Sequence, residues 1–448
     1  MTVKISIIGA GSAMFSLNLI RDFCLTPNLS GSTISFMDID ERRLNAAHAL
    51  CSRYAEEIGI PLKLEKTTDR RRSLEGADFV INTALVAGHD RLRAGWEIAR
   101  QHGYRMGGSL HVMHDEAFWI NFYQFRLFES VIQDVLEICP DAWYLKVDNP
   151  VLSGITYLSR KYPTAKIVGL CHGFAAIYRI ADVLGLDREG LTYEIPGVNH
   201  FVWLTRCFHN GRNVFPLLDE WIETKAETYW ETSKPSDFMG PKAVDLYKRF
   251  GVFPIGDTCT TGGGSWPYWY HTDETTEKRW REDPAAWYRD YFGHLDSNVQ
   301  RVRLVTEREG SRVTDEFPPR MSGEVMVPLI EALACDIPRV VIANIPNLGS
   351  YVPGVPTDFA VEIPVLASKR GVQGIQTTGL PSAVTSWLLH DRVAPIEIEL
   401  EAYERRSKDL LLQLILMDPY TKSEAQARAM LDAILALPFH EEMRAHYC

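Results

Sequence analysis

A glycine turn near the start of the chain places the strongest constraint on its fold. Lys4–Ile8 is a nearly continuous apolar run of strand length, and Gly9, Gly11 and Ser12 follow it directly. Apolar side chains then recur at helical spacing through Phe23. Glycines between a strand and a helix allow a tight turn and let a phosphate approach the backbone at the helix N-terminus. This order predicts a dinucleotide-binding unit, in which Gly9, Gly11 and Ser12 contact the nucleotide.

An acidic residue follows the second predicted strand, at residues 33–37. Asp38 stands 27 positions after Gly11 and is placed to accept hydrogen bonds from the ribose hydroxyls of NAD. A carboxylate here repels the 2′-phosphate of NADP, so the pattern favours NAD. Asp40 is an alternative acceptor, and Met14 stands where the full fingerprint has a third glycine.

Strand and helix signals alternate over the first part of the chain. Further apolar runs and helical stretches lie at residues 41–59, 79–83, 119–138, 143–147 and 166–170. This alternation is typical of an α/β fold built on a doubly wound parallel sheet. We predict a Rossmann-like NAD-binding domain at residues 1–195.

The pattern changes after about residue 190. Strand signals return at residues 339–344 and 359–364, and the chain from residue 382 onward is helical. We predict an α+β second domain at residues 196–448, which carries substrate, metal and oligomer contacts.

The charge balance disfavours several classes of partner. The chain of 448 residues carries 47 Lys and Arg against 58 Asp and Glu, a net charge of −11. Nucleic acids and anionic membranes bind mainly through basic side chains, and no apolar stretch of about 20 residues is present to span a bilayer. The eight cysteines are scattered without a CxxC pair, which is typical of reduced thiols. We expect a cytoplasmic protein without nucleic-acid or membrane partners.

Two residues are candidate metal ligands. Cys171 follows the predicted strand at 166–170, so it falls at the carboxyl edge of the sheet, where such folds bind ligands. His200 lies in an otherwise apolar segment. A packed cysteine and a satisfied core histidine explain the same residues equally well, so the spacing by itself leaves both interpretations open.

Ten short motifs, in this order along the chain, resemble glycoside hydrolase family 4, the NAD-dependent glycosidases. The motifs are IGAGS (8–12), DID (38–40), NTA (82–84), DNP (148–150), CHGF (171–174), GVNH (197–200), GDT (256–258), SGE (322–324), VIANIPN (341–347) and AVEIP (360–364). The resemblance covers nearly the whole chain and implies a fold like that of lactate and malate dehydrogenases.

The resemblance implies the binding residues. Cys171 and His200 would hold a divalent metal, usually Mn²⁺, and Asn82 would join the glycine turn in binding NAD. Asn149 and Asp115 would bind the sugar. The family pattern also implies a homodimer or homotetramer.

The resemblance implies the catalytic residues as well. Asp257 matches the active-site aspartate of the family, a candidate acid or base. Tyr270 best matches the tyrosine base, with Tyr268 as the alternative. His172 occupies the position that distinguishes members acting on non-phosphorylated α-glycosides from those acting on 6-phospho sugars.

The CHGF motif resembles members that cleave α-linked uronic acids, with galacturonides ahead of glucuronides. In the route that the family implies, NAD oxidises C3, a metal-assisted step removes the proton at C2, the leaving group is eliminated, water adds, and the sugar is reduced again. A uronate carboxylate needs a fixed cation. The candidates for that cation are Lys146, Arg105, His111 and His114.

Two other functions stay open at this point. One is an α-glucosidase or α-galactosidase of the same family, acting on neutral sugars. The other is a net NAD-dependent dehydrogenase of the lactate/malate type, which the glycine turn and Asp38 would serve equally well.

Overall fold

One twelve-stranded sheet joins the two halves of the chain. The computed structural model describes residues 1–234, 237–260, 266–307 and 310–448. Its strands are β1 Lys4–Ile8, β2 Thr33–Met37, β3 Lys63–Thr67, β4 Phe79–Asn82, β5 Trp143–Lys146, β6 Ile167–Gly169, β7 Leu191–Glu194, β8 Gly197–Val198, β9 Phe201–Leu204, β10 Arg206–His209, β11 Arg212–Asn213, β12 Phe253–Ile255, β13 Arg339–Pro346, β14 Ala360–Ser368 and β15 Gly371–Gly374.

The first six strands form a parallel sheet in the order β3-β2-β1-β4-β5-β6. This is the strand order of a dinucleotide-binding fold, and it reverses between β1 and β4. Ligands of such folds bind in the crevice at that reversal, outside the carboxyl ends of the strands. The α/β fold class predicted from the sequence is confirmed.

Antiparallel strands extend the same sheet beyond β6. The order continues β13-β14-β8-β9-β12, with β15 paired to β14, and β13 and β14 run in register from Arg339↔Ala367 to Pro346↔Ala360. Strands on both sides of residue 195 therefore belong to one sheet, and the domain division at 195/196 stays a prediction. A small second sheet contains β11, β10 and β7.

Helices cover both faces of the large sheet and fill the C-terminal part of the chain. They are α1 Ala13–Cys24, α2 Glu41–Ile58, α3 Arg70–Leu74, α4 Gly88–Gln101, α5 Phe118–Ile138, α6 Val151–Lys161, α7 Ala176–Leu184, α8 Phe215–Thr224, α9 Ala226–Thr232, α10 Pro241–Phe250, α11 Glu274–Trp280, α12 Ala286–Glu307, α13 Val313–Glu316, α14 Met326–Cys335, α15 Ser382–Leu388, α16 Ala394–Arg405, α17 Lys408–Leu416, α18 Glu424–Leu435 and α19 Glu441–Tyr447. A π-helical turn, Leu389–Val393, connects α15 to α16. Within the described ranges, no helix is both long and apolar enough to cross a bilayer.

The central strands are apolar because helices bury both of their faces. Every residue of β4 is buried, as are four of the five in β1 and in β2. β3 differs: its sequence is KLEKT and none of its residues is buried. It is an edge strand, where charged side chains discourage pairing with another chain.

Candidate active site

The glycine turn brings the ends of three strands together. Gly9 has a φ of +87° and, like Ala10, donates its backbone N–H to the carbonyl of Met37 at the end of β2, over 2.9 and 3.0 Å. A Cβ on Gly9 would lie 2.8 Å from the backbone nitrogen of Ala84, which follows β4. No side chain fits between these strands, so the turn keeps the open backbone that a pyrophosphate needs.

Asp38 lies directly against the glycine turn. Its Oδ2 accepts the N–H of Gly11 over 2.8 Å, and its Oδ1 accepts the N–H of Asp40 over 2.9 Å. A Cβ on Gly11 would approach Asp38 Oδ2 to 2.5 Å. Asp40 is exposed and caps α2 by accepting the N–H of Arg43. The carboxylate fixed beside the turn is therefore that of Asp38.

Asn82 and Ser12 take different positions around the turn. Ser12 is half-buried at the start of α1, and its side chain does not cap that helix. Asn82 is fully buried: its Nδ2 donates to the hydroxyl of Tyr144 over 2.9 Å and to Asp148 over 3.2 Å, and its Oδ1 accepts the N–H of Ala84. The side chain of Asn82 thus supports the loop after β4 from below and does not reach the crevice.

The structure brings Cys171 and His200 together. Cys171 Sγ lies 3.8 Å from His200 Nε2, and Asp257 Oδ2 lies 3.5 Å from the same nitrogen. Cys171 follows β6, His200 forms the turn between β8 and β9 with a φ of +61°, and Asp257 follows β12. Protein ligands bind transition metals at about 2.3 Å through sulfur and about 2.1 Å through nitrogen, so donor atoms 3.8 Å apart can share one ion. The donor set fits a divalent metal.

The other imidazole nitrogen of His200 faces a buried carboxylate. Glu116 Oε1 lies 3.2 Å from Nδ1, which leaves Nε2 directed at Cys171 and Asp257. A carboxylate behind a histidine is the usual support of a metal-ligating imidazole. Burial by itself lowers the pKa of His200, but the bonds to Cys171 and Glu116 outweigh it and raise the pKa well above its usual value.

Asp115 links the metal ligands to the candidate sugar-binding residue. Its Oδ1 lies 2.5 Å from His114 Nδ1, and its Oδ2 accepts the Nδ2–H of Asn149 over 3.1 Å. Burial acts to raise the pKa of Asp115, but the charges and bonds of His114 and His200 prevail and lower it to about 2. Asp115 is therefore a carboxylate at neutral pH.

A cleft of about 220 Å³ connects these groups with the glycine turn. Its walls include Asn149, Cys171 and His172, together with Phe15 of α1 and Glu324. Because Phe15 belongs to the helix that begins at the glycine turn, the nucleotide crevice and the Cys171–His200 pair open onto the same cleft. This convergence is the spatial relationship that the sequence pattern requires.

Lys146 is not placed to bind substrate. Its side chain is fully buried, and its Nζ donates to the backbone carbonyls of Asp148 and Pro150 and lies 3.8 Å above the ring of Phe128. Burial lowers its pKa to about 8. Lys146 instead holds the loop that presents Asn149, so its predicted role as a substrate ligand is corrected to one of support.

The other candidate cations are also engaged. Arg105 donates to Glu277 over 2.9 Å, and His111 lies 3.1 Å from Glu399 in a buried pair. His172 is the cation candidate that faces the cleft: its side chain is 54% exposed and lies 3.7 Å from Glu324. The neighbouring His172 lowers the pKa of Glu324, but burial dominates and raises it.

Tyr270 does not join the metal cluster. It is buried, its hydroxyl donates to Asp245, and its ring packs on Trp280 at 4.7 Å. Tyr268 stands on the protein surface, 39% exposed. The sequence prediction of the base is corrected on this point, because the 3₁₀ turn at Tyr268–Tyr270 directs both hydroxyls elsewhere.

A tyrosine that the sequence analysis missed lies beside the cluster. Tyr288 of α12 is buried, and its ring centroid is 6.0 Å from that of His114. Burial, followed by the nearby Asp115 and Asp257 carboxylates, raises its pKa well above the usual value. Nothing near it in the sequence matches a motif, so only the packing of α12 identifies it.

Comparison with known families now decides the classification. The model of Family 4 glycosyl hydrolases matches residues 4–186, and the model of the Family 4 glycosyl hydrolase C-terminal domain matches residues 195–421. The chain belongs to glycosyl hydrolase family 4. It is therefore an enzyme of a glycosidase family, as the ten motifs predict.

Relatives within family 4 differ in the sugars that they cleave. An α-glucosidase of Erwinia rhapontici is 26% identical over 97% of this chain and 98% of its own length. An α-galacturonidase of Thermoanaerobacterium saccharolyticum is 24% identical over 93% of this chain and 91% of its own. A 6-phospho-α-glucosidase from gut microorganisms, solved in complex with NAD and Mn²⁺, superimposes with a TM-score of 0.80 at 18% identity, covering 99% of both chains. This likeness shows a shared fold across different substrates.

Proposed function

We propose that this family 4 enzyme is an NAD- and Mn²⁺-dependent glycosidase that hydrolyses α-linked uronic acids, α-galacturonides ahead of α-glucuronides. The observation that carries the proposal is the 3.8 Å approach of Cys171 to His200, in a cleft that α1 of the glycine turn also lines. The NAD and Mn²⁺ bound by the 6-phospho-α-glucosidase, and the activity of the α-galacturonidase, support it.

The proposed binding roles follow from where each donor points. Gly9, Gly11 and Ser12 would hold the NAD pyrophosphate at the start of α1, and Asp38 would accept the ribose hydroxyls. Cys171 and His200 would hold the divalent ion. Two protein ligands leave coordination positions for sugar hydroxyls, which the bare thiolate and imidazole could not bind as firmly.

Asn149 and Asp115 would orient the sugar. Asn149 is half-buried in the cleft wall with its amide fixed by Asp115, so its position is set before substrate arrives. A fixed amide offers both a donor and an acceptor to sugar hydroxyls. The pair therefore binds and orients the substrate.

When bound, NAD would supply a hydride acceptor and the divalent ion would supply a Lewis acid at the sugar hydroxyls. Asp257 Oδ1 accepts the Thr260 hydroxyl over 3.2 Å, which leaves its Oδ2 facing His200 and the cleft. We assign Asp257 the role of moving a proton at the sugar. Tyr288 Oη is the proposed base in place of Tyr270, because it lies in the carboxylate cluster that positive charge would activate.

A neutral α-glycoside is the second candidate substrate. Lys146 and Arg105 are each bonded to other groups of the protein, so among the described cleft residues His172 is the cation left to meet a uronate carboxylate. The sequence similarity to α-glucosidases and α-galactosidases supports the same alternative.

A substrate comparison tests the proposal. We expect turnover of α-galacturonides with both NAD and Mn²⁺ present, slower turnover of neutral α-glycosides, and no net NADH. The Cys171→Ser variant should lose about 100-fold or more in activity, whereas Cys335→Ser, at another partly buried free thiol, should retain it. Faster cleavage of neutral sugars would refute the uronide assignment. Net NADH formed from a hydroxy acid would instead indicate a dehydrogenase.

We also propose a cytoplasmic location and a homodimer or homotetramer. All eight cysteines are free in the structure, which suits a reducing compartment. The mass in solution, measured by light scattering, tests the oligomer directly.

A further inference from the structure

The aromatic segment that does not supply the base forms the wall of a second cavity. This cavity, which we call the aromatic pocket, has a volume of about 430 Å³. Its lining includes Trp266, Tyr268, Trp269, Trp387, His390 and Asp391. None of its lining residues belongs to the cleft at Cys171, so the two cavities are separate.

Aromatic rings and polar groups are divided between the sides of the aromatic pocket. The rings of Trp269 and Trp387 are 5.1 Å apart, and both side chains are half-buried, so part of each ring is available to a ligand. Tyr268 stands at the rim, 39% exposed. His390, exposed and 5.7 Å from the Trp387 ring, and the carboxylate of Asp391 form the polar side.

We propose that the aromatic pocket binds a neutral pyranose ring. A pyranose has an apolar C–H face, which packs on tryptophan, and a rim of hydroxyls, which bond to imidazole and carboxylate groups. Concave sites lined mostly by aromatic side chains with a few polar groups are the usual binding sites of small molecules. The lining contains Asp391 and neither Lys nor Arg among the described residues, so it disfavours a uronate or a phosphorylated sugar.

The aromatic pocket lies one layer of side chains behind the turn that carries His200. The ring of Trp266 packs on that of Phe201 at 4.8 Å, and Phe201 follows His200 directly. On the polar side, Arg392, next to Asp391, donates its Nη2–H to the carbonyl of His200 over 3.2 Å. A sugar in the pocket would therefore contact residues joined to the proposed metal-binding turn.

Fluorescence titration of the full-length, chelator-treated protein tests the binding. Without divalent ions the proposed reaction centre is silent, so failure of the proposed function does not affect the result. We expect galactose and methyl α-galactoside to give a saturable change in tryptophan emission, and galacturonate to bind more weakly. Trp387→Ala should weaken galactose binding by at least about tenfold. Trp143→Phe, which removes a half-buried tryptophan at the opposite end of β5, should leave it unchanged.

The rim variant Tyr268→Ala provides a second test if Trp387→Ala does not fold, and it should also weaken binding. A galactose response that is absent, or that neither variant changes, would overturn the proposal. A change in the mass of the protein in Tyr268→Ala without any sugar binding would overturn it too, and would make this surface a contact between copies of the chain.

Substrates of two kinds then identify the source of the sugar. If the pocket holds the sugar released from the substrate, Tyr268→Ala raises KM for a galactose-linked uronide and leaves that of a nitrophenyl uronide unchanged. If it holds a separate sugar molecule, both KM values stay the same while galactose binding falls.

Discussion

His200 is the residue on which the candidate site depends most. It adopts a left-handed backbone conformation that costs a non-glycine residue about 1 kcal/mol or more. The surrounding structure compensates from two directions: Glu116 faces Nδ1, and Arg392, fully buried, binds the carbonyl. The orientation of the imidazole is thus fixed before any metal binds.

Removing the charge behind His200 should weaken metal binding. In Glu116→Gln the side chain keeps its volume but loses the carboxylate that orients Nδ1, and such supporting groups contribute about 10- to 100-fold to metal affinity. We expect the Mn²⁺ dissociation constant, measured by calorimetric titration, to rise by that factor. Glu97→Gln, on the exposed side of α4, is the control. Equal Mn²⁺ affinity in both variants would contradict the role of Glu116.

Lys146 supports the substrate loop, and its replacement should affect stability more than selectivity. Lys146→Met leaves the buried carbonyls of Asp148 and Pro150 without their donor, at a cost of about 1–3 kcal/mol in the free energy of unfolding. Urea denaturation measures that loss, and Lys166→Met, on a part-exposed lysine, should show little of it. A selective loss of uronide turnover over neutral-glycoside turnover would return Lys146 to the substrate site.

At the scale of elements, the turn from β1 to α1 requires glycine for two separate reasons. Gly9 and Gly59 both have positive φ angles, of +87° and +79°, but the added Cβ of Gly59 would meet open space. We expect Gly59→Ala to lose about 1–2 kcal/mol of stability and to keep its NAD affinity.

Gly9→Ala carries the same backbone strain together with a contact of 2.8 Å to the backbone of Ala84. The turn must open to relieve that contact, so we expect a larger loss of stability and a much weaker binding of NAD in an equilibrium titration. Similar NAD affinity in the Gly9 and Gly59 variants would show that the turn does not contact the nucleotide.

Elements were predictable where burial and chain pattern agree. β1 and β2 have the bounds that the apolar runs predict, and α5 begins one residue before the predicted helix. β3 was not predicted, because an edge strand with the sequence KLEKT lacks the apolar run that marks its buried neighbours. β13 and β14 are longer than predicted because each extends along the other over eight paired positions.

At the scale of the whole molecule, the C-terminal helices are fastened to the nucleotide-binding half through a buried histidine. His440 is fully buried, its Nδ1 lies 3.0 Å from the hydroxyl of Tyr123 on α5, and the two rings stack at 5.7 Å. Burial, assisted by the charge of Arg91, lowers the pKa of His440 to about 4. The contact therefore requires the neutral imidazole.

This contact should weaken in acid. Below about pH 6.5 the unfolded chain protonates His440, whereas the folded chain resists protonation until about pH 4, so stability falls as the pH decreases through that interval. We expect His440 to account for about 2 kcal/mol of the stability lost between about pH 7 and pH 5. His440→Gln should remove that share in urea denaturation, and His294→Gln, on an exposed histidine, should not. An equal pH dependence in wild type and His440→Gln would contradict the assignment.

The sequence by itself determined the parallel α/β sheet, the glycine turn, the acceptor Asp38, and the identity of Cys171 and His200 as the paired groups. These features follow from local patterns, since strand burial, turn chemistry and motif order are written in adjacent residues. The tertiary structure alone decided that Lys146 supports a loop, that Tyr270 faces Asp245, and that Tyr288 lies beside the carboxylates. Those outcomes depend on how distant elements pack, because the direction of a side chain is fixed by neighbours that the local sequence does not contain.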